Sequence, residues 1–577
     1  MPSDEREQAH LPDHELFRFC LFSASLCLRG KLIWAGRLTL PVLQSWHRMQ
    51  SFFNWFRDTA IEPNQPWLIL GKGPSFSKRD QFDLSTFKTI SLNHVVREQP
   101  VTLAHAIDLD VVKDCEQAIE NNAQALVMPW VPHVNNQAGA ETLQSIIPQV
   151  PVLRRLDEQG RLLWYNSSTS EQIRHPGSPV VEVKSFSAEA ALNLLAMAGV
   201  RHVRSLGIDG GSAYSGAFAD LVETTLLNNG HESFDRQFAQ FAKIIQRTGV
   251  DYAPLDVESP IRIYVGSLEE QMLAVKVLEY SIRKHASMTV ELLPLHHAPL
   301  QTPVPADARN APRTPFSFQR FLIPALAEHR GRAIYVDSDM QLFADIRQLW
   351  VTPFAGADLL AASKPSDSGR RPQFSVMLLD CESLGWDIGE IVKQLDRGEL
   401  TYEQLMFEMK VAKNIRADLD SRWNSLEHYE PGRTALLHYT DMATQPWVSR
   451  DNPLGYLWTR DLIEAVNAGY IEIDYVRRHV ELGYVRPSLF YQVAHQIEDT
   501  ASLPAKAVAL DDSFVAPYQQ MGLSIEPPAN LSARYMFWLR SKWALKSAVN
   551  HLRRRPTLSR LENSIRYRAK MLAGHQN

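Results

Sequence analysis

The chain has 577 residues, of which 45% are hydrophobic and 22% charged, and its formal net charge is −5 at pH 7. A chain of this length and composition buries large hydrophobic cores, which excludes an intrinsically disordered protein and predicts roughly two to four domains. Four scattered cysteines without a C-x-x-C pair exclude a disulfide framework and a zinc finger. They favour a reducing compartment, so we expect a cytoplasmic protein.

An apolar segment, residues 16–43, follows an acidic start. Its longest uncharged piece, residues 19–28, is far shorter than the ~20 residues that a membrane-spanning helix needs. Acidic residues precede it, whereas a secretory signal begins with basic ones. We therefore expect residues 1–62 to form an apolar helical segment that packs on the protein, with contact to a membrane surface as the alternative.

The next region, residues 63–255, alternates short β-prone runs with helical stretches, which predicts a doubly wound α/β domain. In such sheets ligands bind beyond the carboxyl ends of the strands. The residues that this sequence places there are Gly71, Gly73, Asn93, Asp108, Asp110 and Asp209. The two glycines would let backbone amides approach a phosphate closely, and a tight turn is the alternative.

Four short segments of this region resemble the bacterial sialyltransferase-like proteins and the related pterin-pyrophosphokinase-like group. They are LGKGPSF (70–76), SLNHV (91–95), the pair Asp108 and Asp110, and SLGIDGG (205–211). The resemblance covers about residues 64–215. It implies that the loop with Gly71, Gly73 and Ser75 contacts the nucleotide of a CMP-sugar, and Lys72 stands where the family has asparagine.

The third region, residues 256–500, opens with a strand, an amphipathic helix and a second strand over 261–295. This order predicts a βαβ unit and a second α/β domain. A proline-rich stretch, 298–315, is too interrupted for regular structure and predicts a loop. Residues 316–329 are predicted to form a helix that leads into the next strand.

That strand ends in Asp337-Ser338-Asp339. Alternate residues of an extended segment point to the same side, so both carboxylates can converge on one divalent cation such as Mg²⁺ or Mn²⁺. An Asx turn or the N-cap of a helix near Met340 is the alternative. His438 follows another β-prone stretch, where it could serve as a third ligand or as a structural histidine.

Four segments, in this order, resemble the family 8 retaining glycosyltransferases. They are the βαβ start (261–295), FQR (318–320), YVDSD (335–339) and HYTDMATQPW (438–447). The resemblance implies a GT-A fold in which Asp337, Asp339 and His438 hold the metal that bridges the donor diphosphate. A shell of carboxylates and imidazole favours Mn²⁺ over Mg²⁺.

The same resemblance implies roles for further residues. Val265, Gly266 and Ser267 would lie under the nucleotide base and ribose, and Arg320 would face the donor phosphates or sugar. The pair near the sugar would be Glu403 and Gln404. Gln445 replaces the lysine that grips the diphosphate, and Asp441 replaces a glycine, so one positive charge is missing. We hypothesise that Lys364 or Arg370 compensates for that charge.

Residues 501–577 form a C-terminal extension that is strongly basic between 534 and 570, with Glu562 as the single acid of that stretch. Aromatic and aliphatic residues recur there near helical spacing, which predicts amphipathic helices on an anionic membrane surface. A helix packed on the protein is the alternative. Nucleic acid is not an expected partner, because no nucleic-acid-binding motif accompanies the charges.

Together these features predict two Rossmann-like α/β domains and a basic helical tail. The predicted function is transfer of a sugar from a nucleotide-sugar, with UDP as the expected carrier, to a surface polysaccharide or glycolipid with retention. The location would be the cytoplasm, peripheral to the inner face of the cell membrane. The alternatives are a degenerate GT-A binding or assembly module, and a CMP-sugar transferase or pyrophosphokinase activity in the N-terminal domain.

Overall fold

The computed structural model describes residues 49–520, except residues 60, 63, 315 and 363–373. The apolar segment 16–43, the basic stretch 534–570 and the two cations Lys364 and Arg370 therefore lie outside the described residues. Within the part of the chain that is described, no helix is both long and apolar enough to cross a membrane.

A large parallel sheet occupies the first part of the chain. Its strands and an adjacent hairpin are β1 (Gln50–Ser51), β2 (Trp67–Leu70), β3 (Lys88–Leu92), β4 (Val101–His105), β5 (Ala123–Pro129), β6 (His133–Val134), β7 (Gln137–Ala138), β8 (Leu162–Ser167), β9 (Val180–Val181), β10 (His202–Leu206) and β11 (Asp251–Pro254). The spatial order is β1-β8-β5-β4-β3-β2-β10-β11, with β9 beside β8 and the β6–β7 hairpin outside it. Since β1 pairs with β8, this sheet includes Gln50 and Ser51, which belong to the predicted N-terminal segment 1–62.

Helices cover both faces of this sheet. They are α1 (Phe52–Asp58), α2 (Leu109–Asp114), α3 (Glu116–Asn122), α4 (Leu143–Ile146), α5 (Pro151–Glu158), α6 (Ser187–Met197), α7 (Val222–Thr225) and α8 (Gln237–Thr248). Successive residues of a strand face opposite sides, so Leu68 and Leu70 pack in one core, and Trp67 and Ile69 pack in the other with α6 and α8. Burial on both faces explains why these strands read as continuous apolar runs.

The second part of the chain is built on a smaller mixed sheet. Its strands are β12 (Ile261–Gly266), β13 (Val290–Pro294), β14 (Arg332–Asp337), β15 (Met340–Leu342), β16 (Leu359–Ala362), β17 (Val376–Asp380), β18 (Ile415–Leu419), β19 (Ser425–Leu426) and β20 (Leu436–His438). Six of them follow the order β13-β12-β14-β17-β16-β18, and β15-β20-β19 form a separate small sheet. The strand β14 runs parallel to β12 and antiparallel to β17.

The helices of this part are α9 (Met272–His285), α10 (Ile323–Leu326), α11 (Arg347–Trp350), α12 (Ile388–Asp396), α13 (Tyr402–Met406), α14 (Gly455–Asn467), α15 (Ile473–Glu481), α16 (Pro487–Ala494), α17 (Ala505–Val508) and α18 (Pro517–Gln520). The helix α9 connects β12 to β13, as the βαβ prediction requires. It buries Val275 and Leu278 against β12 and β14, and Leu273 and Val277 against α14 and α16.

One local prediction in this part is wrong. The helix predicted over 316–329 is broken into a 3₁₀ turn, Gln319–Leu322, and the short α10. Pro324 lies in the first turn of α10, where its missing N–H breaks no helical hydrogen bond. A single helix through this position would lose such a bond and clash with the proline ring. The residues from Met340 form the strand β15, which excludes the alternative of a helix N-cap near Met340.

The prediction of an α/β protein with a doubly wound parallel sheet is confirmed. The first sheet ends with β11 at Pro254 and the second begins with β12 at Ile261. They are linked where the amide of Thr289 donates to the carbonyl of Tyr252 at 2.9 Å. Each sheet gathers polar residues at the carboxyl ends of its parallel strands.

Candidate functional site

The neighbouring strands β12 and β14 end side by side. Gly266 is paired with Asp337, and the amide of Ser338 donates to the carbonyl of Gly266 at 3.1 Å. Asp337 thus stands at a strand terminus, as the sequence predicts. The strand stops there, however, and Asp339 reaches the same point across a tight turn rather than from continued extended backbone.

Gly266 is needed because Tyr335 crosses it. A Cβ atom at Gly266 would lie 2.3 Å from the Tyr335 hydroxyl oxygen, closer than side-chain contacts allow. That hydroxyl donates to Oδ1 of Asp337 at 2.6 Å. Burial raises the pKa of Tyr335 well above its ordinary value, so the phenol stays protonated and remains a donor.

Arg320 lies behind Asp337 and is buried. Its guanidinium donates to the carbonyl oxygens of Ser317 and Phe374 and to the Tyr335 hydroxyl, at distances of 2.9–3.1 Å. Its Nη2 is also 3.6 Å from Oδ1 of Asp337. Arg320 therefore holds Tyr335 and Asp337 in place, whereas its predicted contact with donor phosphates or sugar stays a prediction.

Asp339 and His438 meet across the small sheet. Met340 pairs with His438 between β15 and β20, and the amide of Tyr439 donates to the carbonyl of Asp339 at 2.8 Å. These backbone contacts bring Nε2 of His438 to 3.1 Å from Oδ1 of Asp339. Nδ1 of the same ring lies 2.9 Å from Oδ1 of Asn424, an acceptor, so the proton is assigned to Nδ1.

The electrostatics around His438 are dominated by two opposing effects. Burial lowers its pKa, and the carboxylates of Asp339 and Asp337 raise it further than burial lowers it, so the net pKa lies above the ordinary value. With Nδ1 protonated, Nε2 and the Asp339 oxygen are two acceptors in contact. Such a pair requires a cation or a proton between its members.

The donor set fits a divalent cation. One ligand atom each from Asp337, Asp339 and His438 all lie within 4.8 Å of one another. Oδ1 of Asp339 is buried and accepts no hydrogen bond from any described residue. Two carboxylates with one imidazole suit Mn²⁺. Asn424 orients the ring from behind, as a partner of a metal-ligating histidine does.

Gln445 is buried beside this cluster. Its Nε2 donates to Oδ2 of Asp339 at 3.0 Å and to the carbonyl of Tyr439 at 3.1 Å. The amide thus orients Asp339 and leaves its other oxygen free for the cluster. A contact between Gln445 and the donor diphosphate stays a prediction.

The predicted nucleotide-binding segment, Val265 to Ser267, is buried. Val265 packs into the core with the residues of α9, and the amide of Ser267 donates to Oε1 of Gln319 at 3.3 Å. A contact of this segment with a nucleotide base and ribose stays a prediction. Gln319 is a supporting residue that the sequence reasoning did not identify.

Glu403 and Gln404 belong to α13. Gln404 and Thr401 form a capping box: the amide of Gln404 donates to Oγ1 of Thr401 at 3.2 Å, and Oε1 of Gln404 accepts from the amide of Thr401 at 3.0 Å. Glu403 pairs with Arg313 at 2.9 Å. These contacts give both side chains structural partners, and their role near the sugar stays a prediction.

The glycine loop of the first sheet contacts the loop after β10. A Cβ atom at Gly71 would lie 2.3 Å from the carbonyl oxygen of Gly207, so this crossing requires glycine. The amides of Gly71 and Gly73 donate to carbonyls of Leu206 and Gly207, at 2.8 and 2.9 Å.

Ser75 is engaged in the same crossing. Its amide donates to Oδ2 of Asp209 at 2.7 Å, and its hydroxyl accepts from the amide of Gly207. These amides are thus satisfied within the protein, and a phosphate at this edge would need other donors. The roles of Gly71, Gly73 and Ser75 in ligand binding, and the sialyltransferase-like resemblance of this part, stay predictions.

Two residues that support the Asp337, Asp339 and His438 cluster, Tyr335 and Asn424, were missed by sequence reasoning. Tyr335 had a detectable signal, because it lies two residues before Asp337 on a strand and therefore on the same side. Asn424 had no such signal, because its contact with His438 joins residues far apart in the sequence. Gln445 was identified from the sequence, but its contact with Asp339 was not predicted.

Comparisons with known proteins return partial similarities. No protein-family profile matches the chain. Protein CDI of Arabidopsis thaliana is 36% identical over 94 residues, which are 16% of this chain and 36% of that protein. A protein named probable galacturonosyltransferase-like 6, from the same plant, is 24% identical over 204 residues, covering 27% of this chain and 58% of that protein. The chain thus spans less than two thirds of the length of either relative.

Among solved structures, the glycosyltransferase GlyE of Streptococcus pneumoniae TIGR4 is 15% identical, with a TM-score of 0.27. The match covers 37% of this chain and 65% of that one. The chain is therefore similar over part of its length to proteins named as glycosyltransferases.

Proposed function

We propose that the chain is a metal-dependent glycosyltransferase of the GT-A type. It would move a sugar from a nucleotide-sugar, with UDP as the carrier, to a glycan or lipid-linked acceptor, with retention. The observation that carries this proposal is the convergence of Asp337, Asp339 and His438 at the carboxyl end of β14. The partial similarity to the protein named probable galacturonosyltransferase-like 6 supports the same reaction class.

The chain's own residues prepare this cluster for its task. Tyr335 and Arg320 hold Asp337, Gln445 holds one oxygen of Asp339, and Asn424 aims Nε2 of His438. A divalent cation bound there supplies positive charge that stabilises the departing nucleoside diphosphate. The residues would therefore act by fixing three ligands before the donor arrives, so that little reorganisation is needed during transfer.

The proposal for the acceptor step rests on the resemblance to the family 8 retaining glycosyltransferases. Attack by an acceptor hydroxyl on the face that the diphosphate leaves would give retention. Gln445 stands where the family has a lysine that contacts the diphosphate, so one positive charge is missing there. We propose that Lys364 or Arg370 supplies that charge. Substituting each by glutamine and measuring donor affinity tests this step, and unchanged affinity in both variants would reject it.

The experiment that tests the function is donor hydrolysis by the full chain. A panel of UDP- and CMP-sugars is incubated with and without Mn²⁺, and Mn²⁺ binding is measured in parallel by electron paramagnetic resonance. We expect turnover that requires Mn²⁺ and is lost together with Mn²⁺ binding in Asp337→Asn and Asp339→Asn. The matched control is Asp418→Asn, because Asp418 lies in the same sheet but is exposed and pairs with Arg416.

A wild-type chain that neither binds Mn²⁺ nor turns over any donor would remove the enzyme proposal and favour the degenerate binding module.

The location is a separate proposal, the inner face of the cell membrane in the cytoplasm, and it depends on the composition of residues 534–570. Liposome flotation of the chain with and without residues 530–577 tests it. Equal partitioning of the two forms would contradict it.

A further inference from the structure

A large cleft opens at the carboxyl ends of the strands of the first sheet. Its volume is about 830 Å³, and its walls come from the loop after β2, the ends of β3 and β4, and the loop after β10. Asp337, Asp339 and His438 are not among the described residues that line it. The cleft is therefore separate from the metal cluster, and its size suits a small organic ligand.

Lys72 supplies a positive charge to this cleft. Its Nζ donates to Oγ1 of Thr225 at 3.0 Å and lies 4.2 Å from the ring centroid of Tyr214. Among the ion pairs of the described residues, none includes Lys72. Burial, assisted by the charge of Arg97, lowers the pKa of Lys72 to about 8. A half-buried ammonium group without a carboxylate partner is costly, and an anion beside it would offset that cost.

Four carboxylates line the cleft, and those of Asp108, Asp110 and Asp209 accept from backbone amides. Asp209 accepts from the amide of Ser75 at 2.7 Å. Asp108 accepts from the amides of Asp110 and Asn136, at 2.9 and 2.7 Å. Asp110 also pairs with Lys113, and the nearest partner of Asp114 is His94. Among the described residues, none of the four carboxylates forms an ion pair with Lys72.

His94 adds a polar group without a hydrogen-bond partner. Its side chain is 2% exposed and lines the cleft, and neither ring nitrogen makes a hydrogen bond to a described residue. The nearest carboxylate oxygen, from Asp114, is 3.7 Å away. Burial lowers the pKa of His94 to about 4, so the ring is neutral near pH 7 and can donate or accept one hydrogen bond. A buried polar group of this kind needs a partner, which a ligand or an ordered water in the cleft would supply.

An aromatic wall stands next to Lys72. The rings of Tyr214 and Phe234 are 6.0 Å apart, and those of Phe234 and Phe186 are 5.5 Å apart. All three line the cleft. Such a wall packs against a flat ring of a ligand, as aromatic side chains do in sites for ring-containing small molecules.

We propose that this cleft is a second ligand site of the chain, which takes a small organic anion. The phosphate or carboxylate of the ligand pairs with Lys72, and its ring packs on Tyr214, Phe234 and Phe186. His94 provides a hydrogen bond from the floor of the cleft. This site does not depend on the metal cluster or on the proposed sugar transfer.

The test is isothermal titration calorimetry on the full chain in EDTA, which removes free divalent cations from the metal cluster. The phosphate arm compares UMP and CMP with uridine and cytidine. The carboxylate arm compares glucuronic acid with glucose. We expect an anion from one arm to bind at least about tenfold more tightly than its neutral counterpart, equal to about 1.4 kcal/mol.

Substitutions test whether Lys72, and not another cation, carries the binding of the anion. Lys72→Gln is expected to weaken binding of that anion at least about tenfold, and Lys72→Arg to retain most of it. Lys78→Gln is the matched control, because Lys78 lies six residues further along, pairs with Asp256 and does not line the cleft. The Asp339→Asn variant should bind the anion as wild type does.

A measurement on the unmodified chain guards against misfolded variants. Lys72 is acylated with a small amine reagent at pH 8, and its modification is followed by mass spectrometry with and without the anion. Protection of Lys72 is expected. The proposal is overturned if neither arm binds, if the anion and its neutral counterpart bind equally, if Lys72→Gln leaves affinity unchanged, or if Asp339→Asn abolishes binding.

Discussion

His438 and Asn424 are joined by a 2.9 Å contact between Nδ1 of the ring and Oδ1 of the amide. Because that oxygen only accepts, the contact assigns the proton to Nδ1 and turns Nε2 toward Asp339. The orientation of the histidine is thus decided by a residue outside the proposed ligand set.

Removal of this contact should weaken metal binding without removing a ligand. We expect Asn424→Leu to raise the Kd for Mn²⁺ by roughly 10–100-fold, the range seen for partners of metal ligands. Asn424→Asp retains an acceptor and should remain much closer to wild type. The two variants are compared by Mn²⁺ titration, and an Asn424→Leu chain that binds Mn²⁺ as tightly as wild type would contradict the orienting role.

Gly266 allows Tyr335 to reach Asp337, so its replacement should disturb both residues. A Cβ atom there would meet the Tyr335 hydroxyl at 2.3 Å. We expect Gly266→Ala to destabilise the fold by about 1–3 kcal/mol, as overpacking in a filled core does, and to weaken Mn²⁺ binding. Gly385→Ala is the control, because a Cβ atom at Gly385 meets nothing within 4 Å. Equal melting temperatures of the two variants would refute the steric argument.

Substitutions at Gln404 and Thr401 distinguish a structural role of Gln404 from a catalytic one. Gln404 and Thr401 satisfy each other's amides at the start of α13. Replacing either by alanine should cost about 1 kcal/mol of stability. We expect the two variants to have similar kcat values for donor hydrolysis. A kcat for Gln404→Ala far below that of Thr401→Ala would show that the side chain also acts at the sugar.

His105 should make the first sheet sensitive to acid. Burial lowers its pKa to about 3, below the 6.5 of an exposed histidine, and Nε2 lies 3.0 Å from the Tyr165 hydroxyl. Between pH 6.5 and about 3, His105 is protonated in the unfolded chain but neutral in the folded chain. The free energy of unfolding therefore falls as the pH decreases through this range.

The measurement is the melting temperature between pH 7 and pH 4. We expect a smaller loss in His105→Gln than in wild type, because glutamine does not titrate. His428→Gln, a change at an exposed histidine, should reproduce the wild-type loss. A His105→Gln chain with the same acid sensitivity as wild type would exclude His105 as a source of that sensitivity.

The sequence was a good guide wherever a property depends on neighbours along the chain. The strands β2, β3, β12 and β14 were all readable as apolar β-prone runs, and Asp337 was placed correctly at the end of one. The prediction of one helix over 316–329 was wrong because of Pro324. The apolar spacing of this stretch resembles a helix, but a proline interrupts a helix that runs through it.

What sequence alone determined was therefore the order of strands and helices, and the presence of acids at the ends of strands, because these follow from local periodicity. Only the tertiary structure decided that His438 lies 3.1 Å from Asp339, that Asn424 turns its ring, and that Lys72 has no carboxylate partner among the described residues. These relationships join residues far apart in the chain. They arise from packing and strand pairing, which no local pattern encodes.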